Sequence, residues 1–285
     1  MQPKTQYMER FIMQDLIAWK NREDRKPLIL LGARQVGKTY ILKEFGQREF
    51  EKVAYINCDN NAMAKDLFAS DYNIDRILLT IGAITGVNIE AGKTLIIMDE
   101  IQELHRGLAS LKYFCENARE YHVAVAGSLL GLSLHQGESY PVGKVNTLEM
   151  YPLTFEEFLW AKGYDEHFIY DLYQHMLELK PLSNMQMDVL GGLFSDYMIL
   201  GGMPEVVNRY IESGQFSGLL QLQRQLLQDY EEDITKYAVG FDKAKVLAVY
   251  RHITTFLAAE NKRFQVTKIA RGARNREHIG AGDWL

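Results

Sequence analysis

The sequence predicts an α/β fold, a parallel β-sheet covered by helices on both faces, ahead of a purely helical region. Three observations carry this. Short apolar runs without polar alternation, such as LILL at 28–31 and TLIIM at 94–98, read as strands buried on both faces. Stretches with apolar residues at helical spacing separate them. After Pro152 the strand signal stops, and helical patterns alone continue to about Tyr237.

Taken in chain order, a first helix is expected over about residues 7–19, where Met8, Phe11, Ile12, Leu16 and Trp19 recur at helical spacing. Residues 27–31 form the first strand and 38–45 the helix after it. KVAYIN at 52–57 is a second strand, followed by helical stretches near 62–69 and 75–85. TLIIM at 94–98 is the third strand. A helix over 104–118 then places Leu104, Leu108, Leu111 and Cys115 on one face. HVAVA at 122–126 is the fourth strand and 144–150 a fifth. Residues 1–151 are therefore expected to form a three-layer αβα core with a parallel sheet. Residues 152–240 form an all-α region, and 241–285 a further segment with one helix, KAKVLAVYRHITTFLAAE, and two shorter helical pieces.

A chain of 285 residues can bury a full core, and its 47% hydrophobic and 24% charged composition is that of an ordinary globular protein. The net charge of −5 argues against non-specific coating of nucleic acid. The charge is uneven: residues 241–285 hold nine Lys/Arg against four Asp/Glu, a local +5, leaving −10 for the rest. Cys58 and Cys115 have neither CxxC nor Cys/His spacing, which suggests a reducing compartment and no zinc site. No signal-peptide pattern opens the chain and no run approaches the ~18 apolar residues of a membrane span, so a cytoplasmic protein is expected.

Gly32-Ala33-Arg34-Gln35-Val36-Gly37-Lys38-Thr39 fits GxxxxGK[ST] at every fixed position, between an apolar strand and a helix. Glycines let successive backbone N–H groups turn inward toward phosphate oxygens, and the helix N-terminus adds its partial positive charge there. The Lys38 ammonium can reach β- and γ-phosphates, and the Thr39 hydroxyl can ligate Mg²⁺. Residues Gly32 to Tyr40 are the expected nucleotide contacts. No guanine-reading NKxD motif is present, and base preference is not readable from these residues directly.

The third strand runs into Asp99-Glu100, 61 residues after Lys38. If that strand lies beside the loop, Asp99 can hold the Mg²⁺ shell and Glu100 can polarise a water aligned with the γ-phosphate. An activated water favours hydrolysis over transfer to a small-molecule acceptor. Ser128, just past the fourth strand, reads either as a polar sensor between γ-phosphate and water or as a strand-to-turn serine. No histidine has metal-ligand spacing, and His105 reads as a surface residue. The acidic run at 229–233 reads as a solvated helix end.

With these residues collected, the chain resembles prokaryotic AAA-type ATPases of the archaeal-ATPase and STAND-like branches. The matching stretches are GARQVGKT at 32–39, LIIMDEIQ at 95–102, AGSLLG at 126–131, YPLTFEEFL at 151–159 and GGMPEVV at 201–207. The resemblance implies an AAA-like core, a helical lid over 152–240 and the start of a winged-helix-like module over 241–285. It implies ATP and Mg²⁺ as ligands, with Lys38 and Thr39 on the nucleotide and metal, Asp99 on the metal, Glu100 as the base and Ser128 as the sensor. Gly202-Met203-Pro204 reads either as the turn that brings the lid to the nucleotide or as an ordinary helix break. Residues 151–159 read as packing of the lid on the core.

Two departures stand out. Relatives carry Gly-Arg where this chain has Gly143-Lys144, and lysine lacks the planar fork that bridges phosphate oxygens. Arg34 and Arg209 are then the default cations for that role. Relatives also continue into a nuclease-like C-terminal domain, so a chain that stops at Trp284-Leu285 is expected to be truncated. The leading expectation is a Mg²⁺-dependent ATPase acting as a conformational switch. The alternatives are a nucleotide-gated binding module with little hydrolysis and a DNA-associated ATPase. A homo-oligomer, and a DNA or protein partner for the C-terminal part, accompany these readings. The basic residues Lys262, Arg263, Lys268, Arg271, Arg274 and Arg276 read as a solvated face, or as a phosphate-backbone contact if they lie on a winged helix.

Overall fold

The structure, a computed structural model, describes residues 8–59, 61–65, 67–68, 71–127, 141–238 and 243–258. It divides into two compact units, Met1–Gln215 and Phe216–Leu285.

The first unit holds a five-stranded sheet of β1 (Leu28–Leu31), β2 (Lys52–Asn57), β3 (Thr94–Asp99), β4 (His122–Ala126) and β5 (Asn146–Glu149). Its order is β2-β3-β4-β1-β5 and every pairing is parallel. Strand alternation sorts the apolar residues onto two faces. Leu28, Leu30, Leu95, Ile97, Ala124 and Ala126 face α1 (Ile12–Lys20) and α2 (Lys38–Glu49), packing on Leu16, Trp19, Ile41, Leu42 and Phe45. Ile29, Ala54, Ile56, Ile96, Met98, Val123 and Val125 face the other way. They pack on Ala64 of α3 (Ala62–Lys65), Ile77 and Ile81 of α4 (Ile74–Thr85), and Leu111 and Phe114 of α5 (Gly107–Asn117). Each fully buried Leu or Ile contributes roughly 1.5–3 kcal/mol. The expected three-layer arrangement is present, with all five strands in their expected places.

Four local readings differ. The first helix begins at Ile12 instead of near residue 7, because the Phe11 N–H bonds the Glu157 carboxylate at 2.8 Å, a partner remote in sequence. The helix after the loop runs past Gly46 to Glu49, where 45 was expected. A Cβ on Gly46 would lie 2.6 Å from Val53 Cγ2, so this glycine permits close helix–sheet contact and does not end the helix. The helix expected from 104 starts at Gly107, because Arg106 adopts a left-handed conformation after a short 3₁₀ turn at Ile101–Glu103. Finally, β3 does not lie beside β1: β4 stands between them.

Four helices complete the described part of this unit: α6 (Phe155–Ala161), α7 (Glu166–Leu177), α8 (Asn184–Leu200) and α9 (Pro204–Ser213). Thr154 and Glu157 cap α6 reciprocally, Asp165 caps α7, and Ser183 with Gln186 cap α8. In the second unit α10 (Leu219–Tyr237) packs with α11 (Lys243–Ala258) around Ile234, Val246 and Val249. Glu231 of the acidic run accepts two bonds from Arg251, at 2.8 and 2.7 Å. The two shorter helical pieces and the basic residues from Lys262 to Arg276 lie outside the described residues. Among the described residues no helix is long and apolar enough to cross a membrane.

Candidate functional site

The site lies at the C-terminal edge of the sheet, where β1 enters the loop 32–37 and β3 ends in Asp99. The loop uses left-handed backbone at Gln35 and Gly37, with φ of 65° and 98°. Gly37 is also the N-cap of α2, so the helix opens on Lys38 without a side-chain cap. Gly32 is confined from outside, since a Cβ there would lie 2.3 Å from the Met150 carbonyl oxygen.

Lys38 is only 7% exposed, and its ammonium donates to the Gly32 and Ala33 carbonyls at 2.7 and 2.8 Å. Burial pushes its pKa down; the Glu100 and Asp99 carboxylates oppose that and Arg34 adds to it. The cation thus sits inside the loop, braced against the loop's own backbone.

Thr39 follows in the first turn of α2, and its hydroxyl donates to Asp99 Oδ2 at 2.6 Å. The intervening strand does not prevent this meeting. Asp99 stands opposite Ala126 of β4, a residue too small to screen it, and α2 crosses over β4 and β3. Tyr55 of β2 donates to the same Asp99 oxygen at 3.2 Å. Burial, and then the Asp99 charge, push the Tyr55 pKa up to about 12, so the phenol keeps its proton. The Lys43 ammonium lies 3.5 Å from the Tyr55 ring centre. Thr39, Tyr55 and Asp99 meet because odd-numbered positions of β2 and β3 face α2. Two hard oxygens, on Thr39 and Asp99, form a donor set that suits Mg²⁺.

Glu100 leaves the strand in a left-handed conformation with φ 53°, and Gln102 Nε2 donates to its Oε2 at 2.5 Å. Ser128 lies outside the described residues. Arg34 and Arg209 are exposed. Lys144 is at the opposite edge of the sheet, just before Asn146 pairs with Leu28, and bonds Glu116 at 2.8 Å. His105 is exposed, as expected. The described residues hold no cluster of three or more His, Cys, Asp or Glu able to bind a metal.

Beside the loop is an open cleft of about 320 Å³, lined by Met8, Gly37, Tyr40, Met150, Pro204 and Asn208 among others. This is within the range of small-molecule sites, ~300–1,000 Å³. Its wall on the α9 side is set by the GGMP turn. The Leu153 N–H donates to the Gly202 carbonyl at 2.6 Å, and a Cβ on Gly202 would lie 2.2 Å from the Leu153 oxygen. That approach holds Pro204, the first residue of α9, within 3.9 Å of where a Gly37 Cβ would stand.

Sequence reasoning missed Tyr55, Arg10 and Glu157. Arg10 and Glu157 are 6% and 3% exposed and form an ion pair at 3.0 Å, and Arg10 also lines the cleft. Strand alternation places Tyr55 on the Asp99 face, and Thr154-x-x-Glu157 is a capping-box pattern; no local pattern marks Arg10.

Comparison with known proteins bears on the same elements. Residues 24–159 match a family model described as an AAA domain, and residues 191–285 one described as a domain of unknown function, DUF8612. Among solved structures, the chain is similar to the Walker-type ATPase of Pyrococcus abyssi, with TM-score 0.59, 16% identity, and 100% of this chain and 91% of that one covered. AMPPCP-bound DnaA from Aquifex aeolicus gives TM-score 0.42 at 15% identity, with 96% and 84% covered. The Aeropyrum pernix Orc1 protein in complex with DNA gives 0.38 at 13%, with 95% and 79% covered. No curated protein matches the sequence.

Proposed function

We propose that this chain, whose residues 24–159 match an AAA domain model, binds ATP with Mg²⁺ and hydrolyses it as a conformational switch. The observation that carries the reading is the 2.6 Å bond between Thr39 and Asp99, which joins the two metal-binding positions of the loop and the acidic strand. The loop amides and Lys38 take the phosphates, with Lys38 exchanging loop carbonyls for phosphate oxygens. Thr39 and Asp99 hold the cation, which when bound supplies charge neutralisation at the β- and γ-oxygens. Glu100 orients the attacking water and accepts its proton. The apolar cleft between Tyr40, Met150 and Pro204 takes the base, and Asn208 offers polar groups at its rim. Helices α6 to α9 act as the lid, because Pro204 approaches the loop from their side. Ser128 is proposed as the sensor from its place after β4.

A second reading rests on the Gln102–Glu100 bond. A side-chain amide on that carboxylate competes with water for it, so the chain would bind ATP and hydrolyse it slowly until Gln102 is drawn away.

Glu100→Gln in the full chain tests the catalytic assignment. ATP affinity is expected to stay near that of the wild type while turnover falls at least about a hundredfold. Unchanged turnover removes Glu100 from the mechanism, and loss of binding by Glu100→Gln reassigns it to the phosphate or metal site.

A further inference from the structure

The Arg10 guanidinium is a buried three-way joint. Its Nε donates to Glu157 Oε1 at 3.0 Å, Nη1 to the Val36 carbonyl at 3.2 Å and Nη2 to the Tyr151 carbonyl at 2.6 Å. The partners belong to three parts of the site: Val36 to the phosphate loop, Tyr151 to the segment leaving β5, and Glu157 to the first turn of α6. We propose that Arg10 is a positioning residue that couples the seating of the helical lid to the aim of the Gly37 amide, and thereby sets affinity for the triphosphate. This deepens the ATP reading of the loop and rests on it.

In a planar trans peptide the Val36 carbonyl and the Gly37 N–H point in opposite directions. A guanidinium that holds the carbonyl from one side therefore turns the N–H away from itself. Gly37, with φ 98° and no Cβ, imposes little on that peptide by itself. A hydrogen bond from outside the loop is what limits its rotation, and the amides of such a loop are its phosphate donors.

The other end of the joint is equally fixed. Glu157 Oε1 also accepts the Phe11 N–H at 2.8 Å, and Oε2 accepts the Thr154 N–H at 2.9 Å. The Phe11 ring lies 4.5 Å from that of Trp160 on α6. Arg10 is thus clamped to α6, and a shift of α6 must move the guanidinium or break the clamp. A different part of the lid reaches the loop by a second route. Tyr197 of α8 donates to the Leu153 carbonyl at 2.7 Å, Leu153 bonds Gly202, and Pro204 stands over Gly37. Both routes converge on Gly37. Stability alone is a poor reason for this ion pair, since apolar replacements of buried pairs are often neutral or stabilising. Arginine suits the place because one planar fork serves three acceptors, where lysine has a single flexible ammonium.

The test uses the full chain as wild type, Arg10→Lys, Glu157→Gln, the double variant and Lys38→Ala. ATP is titrated in the presence of Mg²⁺ by calorimetry, below each melting temperature measured by circular dichroism. Arg10→Lys and Glu157→Gln are each expected to weaken ATP about tenfold, the loss of one charge-assisted hydrogen bond. The double variant is expected to be no weaker than the worse single, because both act through one joint. Lowered melting temperatures with ATP affinity within about twofold of wild type would mean a purely structural pair and overturn the proposal. Because Arg10 also lines the cleft and Glu157 does not, Glu157→Gln decides on the same criterion, whether or not Arg10→Lys folds. Wild type that fails to bind ATP, or Lys38→Ala that binds it normally, overturns the reading of the loop itself, and this outcome is distinguishable because neither involves Arg10.

Discussion

The Thr39 hydroxyl and the Asp99 carboxylate are 2.6 Å apart, although the strands that position them are separated by β4. The meeting needs a small residue at Ala126, opposite Asp99, and a helix that leaves the loop toward β3. The Tyr55 hydroxyl completes it from the next strand, so one carboxylate oxygen collects donors from α2 and β2. Asp99 is thereby oriented toward α2 by the folded chain alone.

Tyr55→Phe removes that second donor and keeps the ring beneath the Lys43 ammonium. The concentration of Mg²⁺ needed for half-maximal turnover is expected to rise about three- to tenfold, the worth of one neutral-to-charged hydrogen bond. Melting temperature should change little, since the ring still fills its place. A Mg²⁺ titration of turnover at saturating ATP checks this, and an unchanged midpoint would show that Thr39 alone orients Asp99.

Gln102→Ala releases the Glu100 carboxylate from its amide partner. If the bond competes with the attacking water, turnover rises, by up to about tenfold, with ATP affinity unchanged. If turnover falls instead, the bond aligns Glu100 for catalysis. Steady-state turnover of the variant beside wild type separates the two readings.

How far these residues could be read in the sequence depends on whether their signal is local. LILL and TLIIM are continuous apolar runs because both faces of the sheet are covered, and the glycine loop and the Asp99-Glu100 strand end are contiguous patterns. The order of strands is not contained in periodicity, so β4 between β1 and β3 came only from the structure. Arg10 lay within a stretch whose Met8 and Phe11 read as one face of a helix; its role depends on Glu157, 147 positions away, which no window spans. The helix expected over 38–45 stopped short of Gly46, whose reason for being glycine, contact with Val53 across the layer, is tertiary.

Acid stability should depend on His122. The ring is buried between Trp19 and Phe50, its Nε2 is 2.5 Å from Arg25 Nη1, and Lys20 is close by. Burial, and then the Arg25 charge, push its pKa down from 6.5 to about 4. Between those values the unfolded chain takes up a proton that the folded chain refuses. The contribution of neutral His122 is therefore complete above pH 6.5 and is lost as pH falls toward 4. His122→Phe removes the titration, and its unfolding free energy in urea should fall less steeply than that of wild type from pH 7 to pH 4.5. Parallel curves would place the acid sensitivity elsewhere.

Gly202 and Gly191, in the helical region after Pro152, should respond to a methyl group in opposite directions. A Cβ on Gly202 would stand 2.2 Å from the Leu153 oxygen and 2.9 Å from its nitrogen, both backbone atoms that no rotamer change can move aside. Gly202→Ala must therefore open the Leu153–Gly202 pairing and carry Pro204 away from Gly37. It is expected to destabilise the chain by about 1–3 kcal/mol and to weaken ATP. Gly191, inside α8, would meet nothing within 4 Å and has ordinary helical backbone. Gly191→Ala is expected to stabilise by about 0.5–1 kcal/mol, the helix-propensity difference, with ATP affinity unchanged. Melting curves and ATP titrations on the two variants check both signs. Gly202→Ala binding ATP like wild type would separate the Gly202 turn from nucleotide binding, because Pro204 would then be free to move without consequence for the site.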